Sequence, residues 1–484
     1  MASSFSKNSF IYTFTTVFQK GVAFFLIPVY SIFIDPEEYG IISLILATIA
    51  ILTVLFTLSF DAAIVRFYYD HKHDKEELKK KLSTLFISLG ANSLFAFTFF
   101  MIAGPPLFNW VLPNVDFYPY IFLGLLILLF QPFYLLVLGF YQTTENAKAF
   151  SILSIGYFLT HLALTITFVV IFEFGGIGIL TATLISAFIF SCIGLYYLRE
   201  FFVITFERRF VKTVLKYTLP LIPHSLAGHL ALTLDRFLLN GLLNPHATGL
   251  YYLGYQLSYP VDVISLSFNR AFVPTYFNNV ELPDGKMQIR NNASLFFAVS
   301  AFGAFCLSIW GPEVFKYLID KAYLESLTLL PIISFSFVAT TIYYIHSCIF
   351  FYKKEKVYLV AVCTISANVL NLGLNLILIP YYGIHGAAYA TLAAQLLLAI
   401  TAIVMGKKFE KVNWPTFKYF LLFTLLFFLS LITNHVVVLD LVYSVLSKLL
   451  ITFLAMMSIS AILLKGPFHF LTYIQSIRPT ILKK

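Results

Sequence analysis

Lys20 and Asp262 are the ionisable residues whose surroundings most demand a chemical explanation. Lys20 lies twelve residues into the apolar run 8–33, about 18 Å along a helix rising ~1.5 Å per residue. Asp262 lies thirteen residues into the run 249–271, at similar depth from its own end. A charge at mid-bilayer costs at least ~2.5–3.5 kcal/mol, so each needs a partner, water or a charged cargo. An ammonium at that depth can hold an anion as a point charge, and a carboxylate there can take up a proton or a sodium ion. Equal depth on helices from opposite halves predicts that the two side chains face each other and close an empty cavity. An anionic substrate would then compete for Lys20 while Asp262 took a proton.

Arg66, Arg236 and Arg270 lie nearer helix ends and add guanidinium groups suited to bidentate contact with phosphate. With Lys20 they form the candidate phosphate-neutralising set. Asp61 and Asp235 join Asp262 as candidate coupling or gating acids. Lys448, in an outer half-span, reads as a snorkelling side chain.

Polar residues also recur at helical spacing, which puts them on one face. The first run carries Asn8, Tyr12, Thr16, Gln19 and Lys20, and the seventh carries Ser225, His229, Arg236 and Asn240. The eighth carries Tyr251, Tyr255, Ser258, Asp262, Ser265 and Asn269, and the eleventh Thr364, Asn368, Asn371 and Asn375. Ser and Thr alone would read as helix-to-helix glue at ~0.6 kcal/mol per bond. Stripes that mix in Asn, Asp, His and Lys predict a hydrated cavity lined by Gln19, His229, Tyr255, Asn368, Asn371 and Asn375. His161 and His346 read as packed core histidines. The four cysteines fall inside apolar runs without paired spacing, so neither disulfides nor a metal site is expected.

The elements that must position these groups are membrane helices. With 60% hydrophobic and 11% charged residues, the chain departs from soluble globular composition. Fourteen apolar runs are long enough to span ~30 Å of hydrocarbon. They lie roughly at 8–33, 41–63, 82–103, 120–140, 150–172, 178–198, 214–240, 249–271, 292–311, 326–351, 357–379, 384–405, 417–438 and 441–464. The net charge of +9 comes from the connections: 27 of the 32 Lys and Arg fall on one side, counting Lys216, Arg270 and Lys418 at the ends of runs, two on the other and three deeper within runs. Such a bias places both termini in the cytoplasm and argues against nucleic acid as a partner.

A motif occurs twice, 209 residues apart: Asp35-Pro36-Glu37-Glu38-Tyr39-Gly40 and Asn244-Pro245-His246-Ala247-Thr248-Gly249. A second pair, Gly175-x-x-Gly178-x-x-x-Ala182-Thr183-Leu184 and Gly383-x-x-Gly386-x-x-x-Ala390-Thr391-Leu392, repeats at offset 208. Two matches at nearly one offset indicate duplication of a six-helix unit. Six is even, so both copies enter the membrane in the same orientation, related by a pseudo-twofold axis along its normal. The expected architecture is therefore all-α, with two pseudo-twofold-related six-helix bundles around a central cavity and two extra C-terminal helices. The lobes are 1–205 (helices 1–6) and 206–410 (helices 7–12), followed by 411–484 with helices 13–14 and a cytoplasmic tail.

The chain resembles the polysaccharide-biosynthesis branch of the multidrug/oligosaccharidyl-lipid/polysaccharide exporter superfamily, the O-antigen and capsule repeat-unit flippases. The resemblance is carried by Ile27-Pro28-Val29-Tyr30 with Pro36-Glu37-Glu38-Tyr39-Gly40, by Leu219-Pro220-Leu221-Ile222-Pro223 with Asp235-Arg236, and by Gly249-Leu250-Tyr251. It implies a transporter, not an enzyme, that moves an undecaprenyl-pyrophosphate-linked oligosaccharide from the cytoplasmic to the periplasmic leaflet by alternating access. It further implies a bacterial inner-membrane monomer without a cofactor, with H+ or Na+ as candidate coupling ions and a glycan polymerase as candidate partner. Lys20, Arg66, Arg236 and Arg270 would neutralise the pyrophosphate, while Tyr255 and the asparagines met the sugars. In related lipid II flippases, helix 8 contributes basic residues to the cavity. Here that helix has Asp262 at mid-depth and Arg270 nearer its cytoplasmic end. The competing readings are a cation-coupled drug antiporter of the same superfamily and a membrane glycosyltransferase or polymerase.

Overall fold

The structure, a computed structural model, describes residues 2–436 and 441–463. The tail from 464 onward and the side chains of Asn8 and Thr16 lie outside the described residues. Among those described there are sixteen α-helices and no strand. The described residues of the fourteen apolar runs are largely helical, and ten continuous helical stretches are long and apolar enough to cross a membrane. The chain is thus an all-α, multi-pass membrane protein. It forms two compact units, 1–252 and 253–484. This division by packing is separate from the repeat boundary near 205, which rests on the sequence.

In the first unit, α1 (Ala2–Phe25) and α2 (Ile27–Phe33) replace the single first helix expected from the sequence. Pro28 explains the break, since it removes a donor and crowds the carbonyl four residues before it. Helix α3 (Pro36–Thr57) starts on a strong signal: the Asp35 carboxylate accepts from the Glu38 N–H at 2.9 Å, Pro36 opens the helix, and Glu37 and Glu38 complement its dipole. Leu58 and Ser59 then take left-handed conformations and turn the chain into α4 (Phe60–His71).

Helix α5 (Lys75–Val111) is capped by Asp74 in the same way. Helices α6 (Phe122–Thr143), α7 (Ala147–Ile166) and α8 (Gly175–Tyr197) complete this part of the bundle, with α6 against α8 as a major contact. A buried cluster that includes Phe60, Phe86, Tyr134, Phe140 and Phe190 fills the unit where α4, α5, α6 and α8 meet.

The seventh run is also broken. Helix α9 (Arg208–Thr218) buries Phe210, Val214 and Thr218 and exposes Arg208, Arg209, Lys212 and Lys216. A 3-10 turn at Leu219–Leu221, with Pro220 inside it, separates it from α10 (Ile222–Leu242), whose first turn holds Pro223. What the sequence presents as one span from 214 therefore begins as a basic amphipathic helix, of the kind that lies along a membrane surface.

Helix α11 (Pro245–Asn279) leads into the second unit, followed by α12 (Gly285–Phe315) and α13 (Leu330–Tyr352). Helix α14 (Tyr358–Gly406) joins two spans through Gly383, whose φ of +57° only glycine adopts readily. Gly175 in the first unit, its partner in the repeat, has φ of +55°. The two halves thus turn at matched glycines. Helices α15 (Thr416–Val436) and α16 (Leu441–Leu463) both pack on α12. Tyr419 stacks on Phe297 at 4.7 Å, and the Trp310 indole donates to Thr452 at 3.1 Å.

Candidate functional site

The repeated Pro-x-x-x-Gly motif forms a contact with itself. Asp35 caps α3, and the Asn244 carboxamide oxygen accepts from the Ala247 N–H at 2.8 Å to cap α11. A Cβ on Gly40 would stand 1.9 Å from the Pro245 carbonyl oxygen, and one on Gly249 would stand 1.8 Å from that of Pro36. Each glycine therefore lies on the first turn of the other helix, a close approach that only small residues permit. The Tyr39 and Tyr252 rings flank this crossing with centroids 5.1 Å apart.

Two neighbouring charges on α10 are held by two neighbouring tyrosines on α11. The Tyr251 hydroxyl donates to Asp235 at 2.8 Å, and the Arg236 guanidinium lies 4.4 Å above the Tyr252 ring. The aromatic face holds the cation without neutralising it. Asn240, one turn farther along α10, is fully buried, and neither end of its amide is hydrogen-bonded among the described residues.

On α1 the polar face divides. Thr15 lies 3.1 Å from the Ser151 hydroxyl, and the Gln19 amide donates to the Ser154 carbonyl and hydroxyl at 2.9 and 2.8 Å. These contacts tie α1 to α7, so Gln19 acts as helix-to-helix glue in this structure. Lys20 stands about 100° farther round the helix, off that seam and half-buried. His229 is likewise half-buried on α10. On α4, Arg66 pairs with Asp70 at 3.3 Å and is 57% exposed, while Asp61 is exposed in the first turn.

In the second unit, Asp262 and Arg270 of α11 share an electrostatic neighbourhood with Tyr259 and with Tyr344 of α13. Asp262 is half-buried and Arg270 exposed. Ser265, on the same stripe, is buried in contacts with Ser300 at 3.3 Å and Thr341 at 2.9 Å, and so binds α11 to α12 and α13. Tyr255 packs edge-on to Phe337. The stripe on α14 also divides by depth: Asn375 donates to Asn371 at 3.1 Å with both side chains buried, while Asn368 is half-buried.

Lys448 overturns its snorkelling assignment. It is 3% exposed and donates to Glu313 at 2.8 Å and to the Ile309 carbonyl at 3.3 Å. Held between packed helices, the ammonium meets the Glu313 carboxylate before it reaches water. Glu313, missed by sequence reasoning, could have been found as the acid at the outer end of α12, opposite a base in an outer half-span. His161 bonds Thr183 at 3.1 Å, and His346 lies 3.3 Å from the Thr416 hydroxyl, both in packed surroundings. The four cysteines are free thiols.

Comparison with known proteins adds the lineage. A curated "Uncharacterized membrane protein" of Haemophilus influenzae is 22% identical over 296 residues, covering 60% of this chain and 68% of that protein. Among solved structures, the chain is similar to the lipid II flippase MurJ in an inward closed conformation, with 14% identity and a TM-score of 0.68. That match covers 94% of this chain and 98% of MurJ. It is also similar to an inward-facing multidrug resistance MATE family transporter of the MOP superfamily, with 16% identity and a TM-score of 0.56. The match covers 82% of this chain and 94% of the transporter. These likenesses establish the fold. The family model for polysaccharide biosynthesis proteins matches residues 5–280, more than half of the sequence, and the chain belongs to that family.

Proposed function

We propose that the protein is a flippase that carries a polyprenyl-pyrophosphate-linked oligosaccharide, with undecaprenyl as the lipid, across a bacterial inner membrane for surface polysaccharide synthesis. Both termini face the cytoplasm in this reading, and the cargo moves outward by alternating access. The family match over residues 5–280 is the observation that carries it. Lys20 supports it chemically, as a half-buried ammonium midway along an apolar run.

The head of the cargo needs a wet, cationic route while its lipid tail stays in hydrocarbon. Lys20, Arg66, Arg236 and Arg270 would neutralise the pyrophosphate in turn, and His229, Tyr255 and Asn368 would meet sugar hydroxyls. An inside-negative potential favours outward movement of the anion by ~2.3 kcal/mol per charge per 100 mV. Asp262 would take up a proton or Na+ as the cargo claims the Lys20 ammonium. Asp61 and Asp235 would serve the gates.

Deletion tests the cargo class. Cells without the protein should lose surface glycan and accumulate lipid-linked repeat units on the cytoplasmic leaflet. Unchanged glycan with altered drug sensitivity would point to antiport and reject the proposal. Normal transport by Asp262→Asn would reject the coupling role while leaving the cargo intact.

A further inference from the structure

The connection 407–415 and the first turn of α15 enclose a pocket of about 500 Å³ that none of the cavity residues above uses. Its polar lining is Lys407, Lys411, Glu410, Asn413, Trp414, Thr416 and His346. We propose that this pocket binds the phosphodiester headgroup of an anionic phospholipid, a ligand separate from the transported glycan. The proposal takes from the functional reading only that the chain spans a membrane.

The charge of the lining decides the class. Glu410 is the one carboxylate in it, and one of its oxygens is already occupied. That oxygen accepts from the Tyr276 hydroxyl at 3.2 Å and from the backbone N–H groups of Lys411 and Val412 at 3.1 and 3.3 Å. Its work is to hold the connection against α11. Lys411 pairs outward with Glu281. Lys407 lines the pocket, is exposed and makes no ion pair among the described residues. The opening residue of α15, Thr416, also lines the pocket and brings the positive end of a helix dipole to it. A cation, an N-terminal turn and a polar amide at Asn413 together select an anion.

The flanks decide the source. Val404 on α14 and Phe417 on α15 are the chain neighbours of the lining residues Ile403 and Thr416 and are 66% and 79% exposed. A ligand held here therefore meets apolar helix surface directly beside the polar pocket. That combination fits a lipid, whose chains cover what its headgroup leaves bare. Basic pockets between helices at a membrane boundary take anionic headgroups in this way.

The test titrates purified full-length protein in neutral detergent with fluorescent phosphatidylglycerol, in the absence of glycan. Failure here and failure of transport are thus separate results. Lys407→Gln should weaken binding about 5-fold, and Asn413→Leu should weaken it by a second route through the same pocket. Lys408→Gln, the same charge change outside the lining, should bind as the parent does, and glycerol phosphate should not displace the lipid. Unchanged binding in both pocket variants, or equal loss in Lys408→Gln, would overturn the proposal. Displacement by glycerol phosphate at concentrations similar to the lipid would assign the pocket to a soluble phosphate and overturn the lipid assignment.

Discussion

Gly40 and Gly249 hold reciprocal positions: each lies where a side chain would collide with the carbonyl oxygen of the proline that opens the other's helix. One duplicated motif supplies both halves of this contact, so a substitution in either copy should act alike. Gly40→Ala and Gly249→Ala should each cost on the order of 1–3 kcal/mol, as added methyl groups do in packed sites. The double variant should cost less than the sum, since one displacement makes room for both methyls. Thermal unfolding in detergent measures this. A harmless Gly249→Ala beside a damaging Gly40→Ala would contradict the reciprocity.

The buried pair between α12 and α16 predicts an asymmetry. Glu313→Gln removes the counter-ion of the enclosed Lys448 ammonium and leaves it neutral acceptors, the Ile309 carbonyl among them, and should cost about 3–5 kcal/mol. Lys448→Met leaves Glu313 with Lys316 and should be nearly neutral, since an apolar side chain fits that seam. Equal stability losses from the two variants would show that the pair does not anchor α16 in this manner.

Much of this fold was legible in the sequence, for reasons that differ by feature. Run length and hydropathy located the helical runs because hydrocarbon thickness fixes how long they must be, though not where a run breaks in two or joins the next. The repeat pairs Gly175 with Gly383, and the two share a positive φ. The breaks before Ile27 and Ile222 follow from Pro28, Pro220 and Pro223, but average hydropathy hides them. The site was less legible. Helical spacing tells which residues share a face, not what that face meets. Gln19 and Ser265 prove to be seams between helices, while Arg236 lies over an aromatic ring supplied by another helix. Contacts of that kind depend on packing between distant segments, about which a single sequence is silent.

Asn240 offers a gain rather than a loss. A fully buried amide without hydrogen bonds among the described residues carries a desolvation cost of ~1–3 kcal/mol. Asn240→Leu keeps the branching of the side chain and removes both polar atoms, so it should raise the unfolding temperature. A lowered unfolding temperature would mean that the amide is satisfied in the membrane.

Glu410 sets a pH dependence outside the spans. Burial is the largest influence on it and holds its carboxyl above the ordinary value of 4.5, against the opposing hydrogen bonds from the 411–412 backbone and Tyr276. The folded state therefore keeps a proton that the unfolded chain releases, and stability falls as pH rises from about 4.5 toward the raised value. Glu410→Gln should flatten that fall. An unchanged slope in melting temperature against pH would assign the dependence to another group.

The central claim is that a cationic route anchored by Lys20 carries a pyrophosphate-linked glycan through the membrane. Its most direct measurement follows a labelled undecaprenyl-pyrophosphate oligosaccharide in proteoliposomes, scored by access of a membrane-impermeant reagent to the glycan. The account predicts transfer by the parent protein, faster transfer under a potential negative on the side of origin, and a loss of at least ~10-fold in Lys20→Gln, the factor that 1.36 kcal/mol of lost transition-state stabilisation produces. Transfer at the parent rate by Lys20→Gln, or no transfer by a folded parent protein, would contradict it.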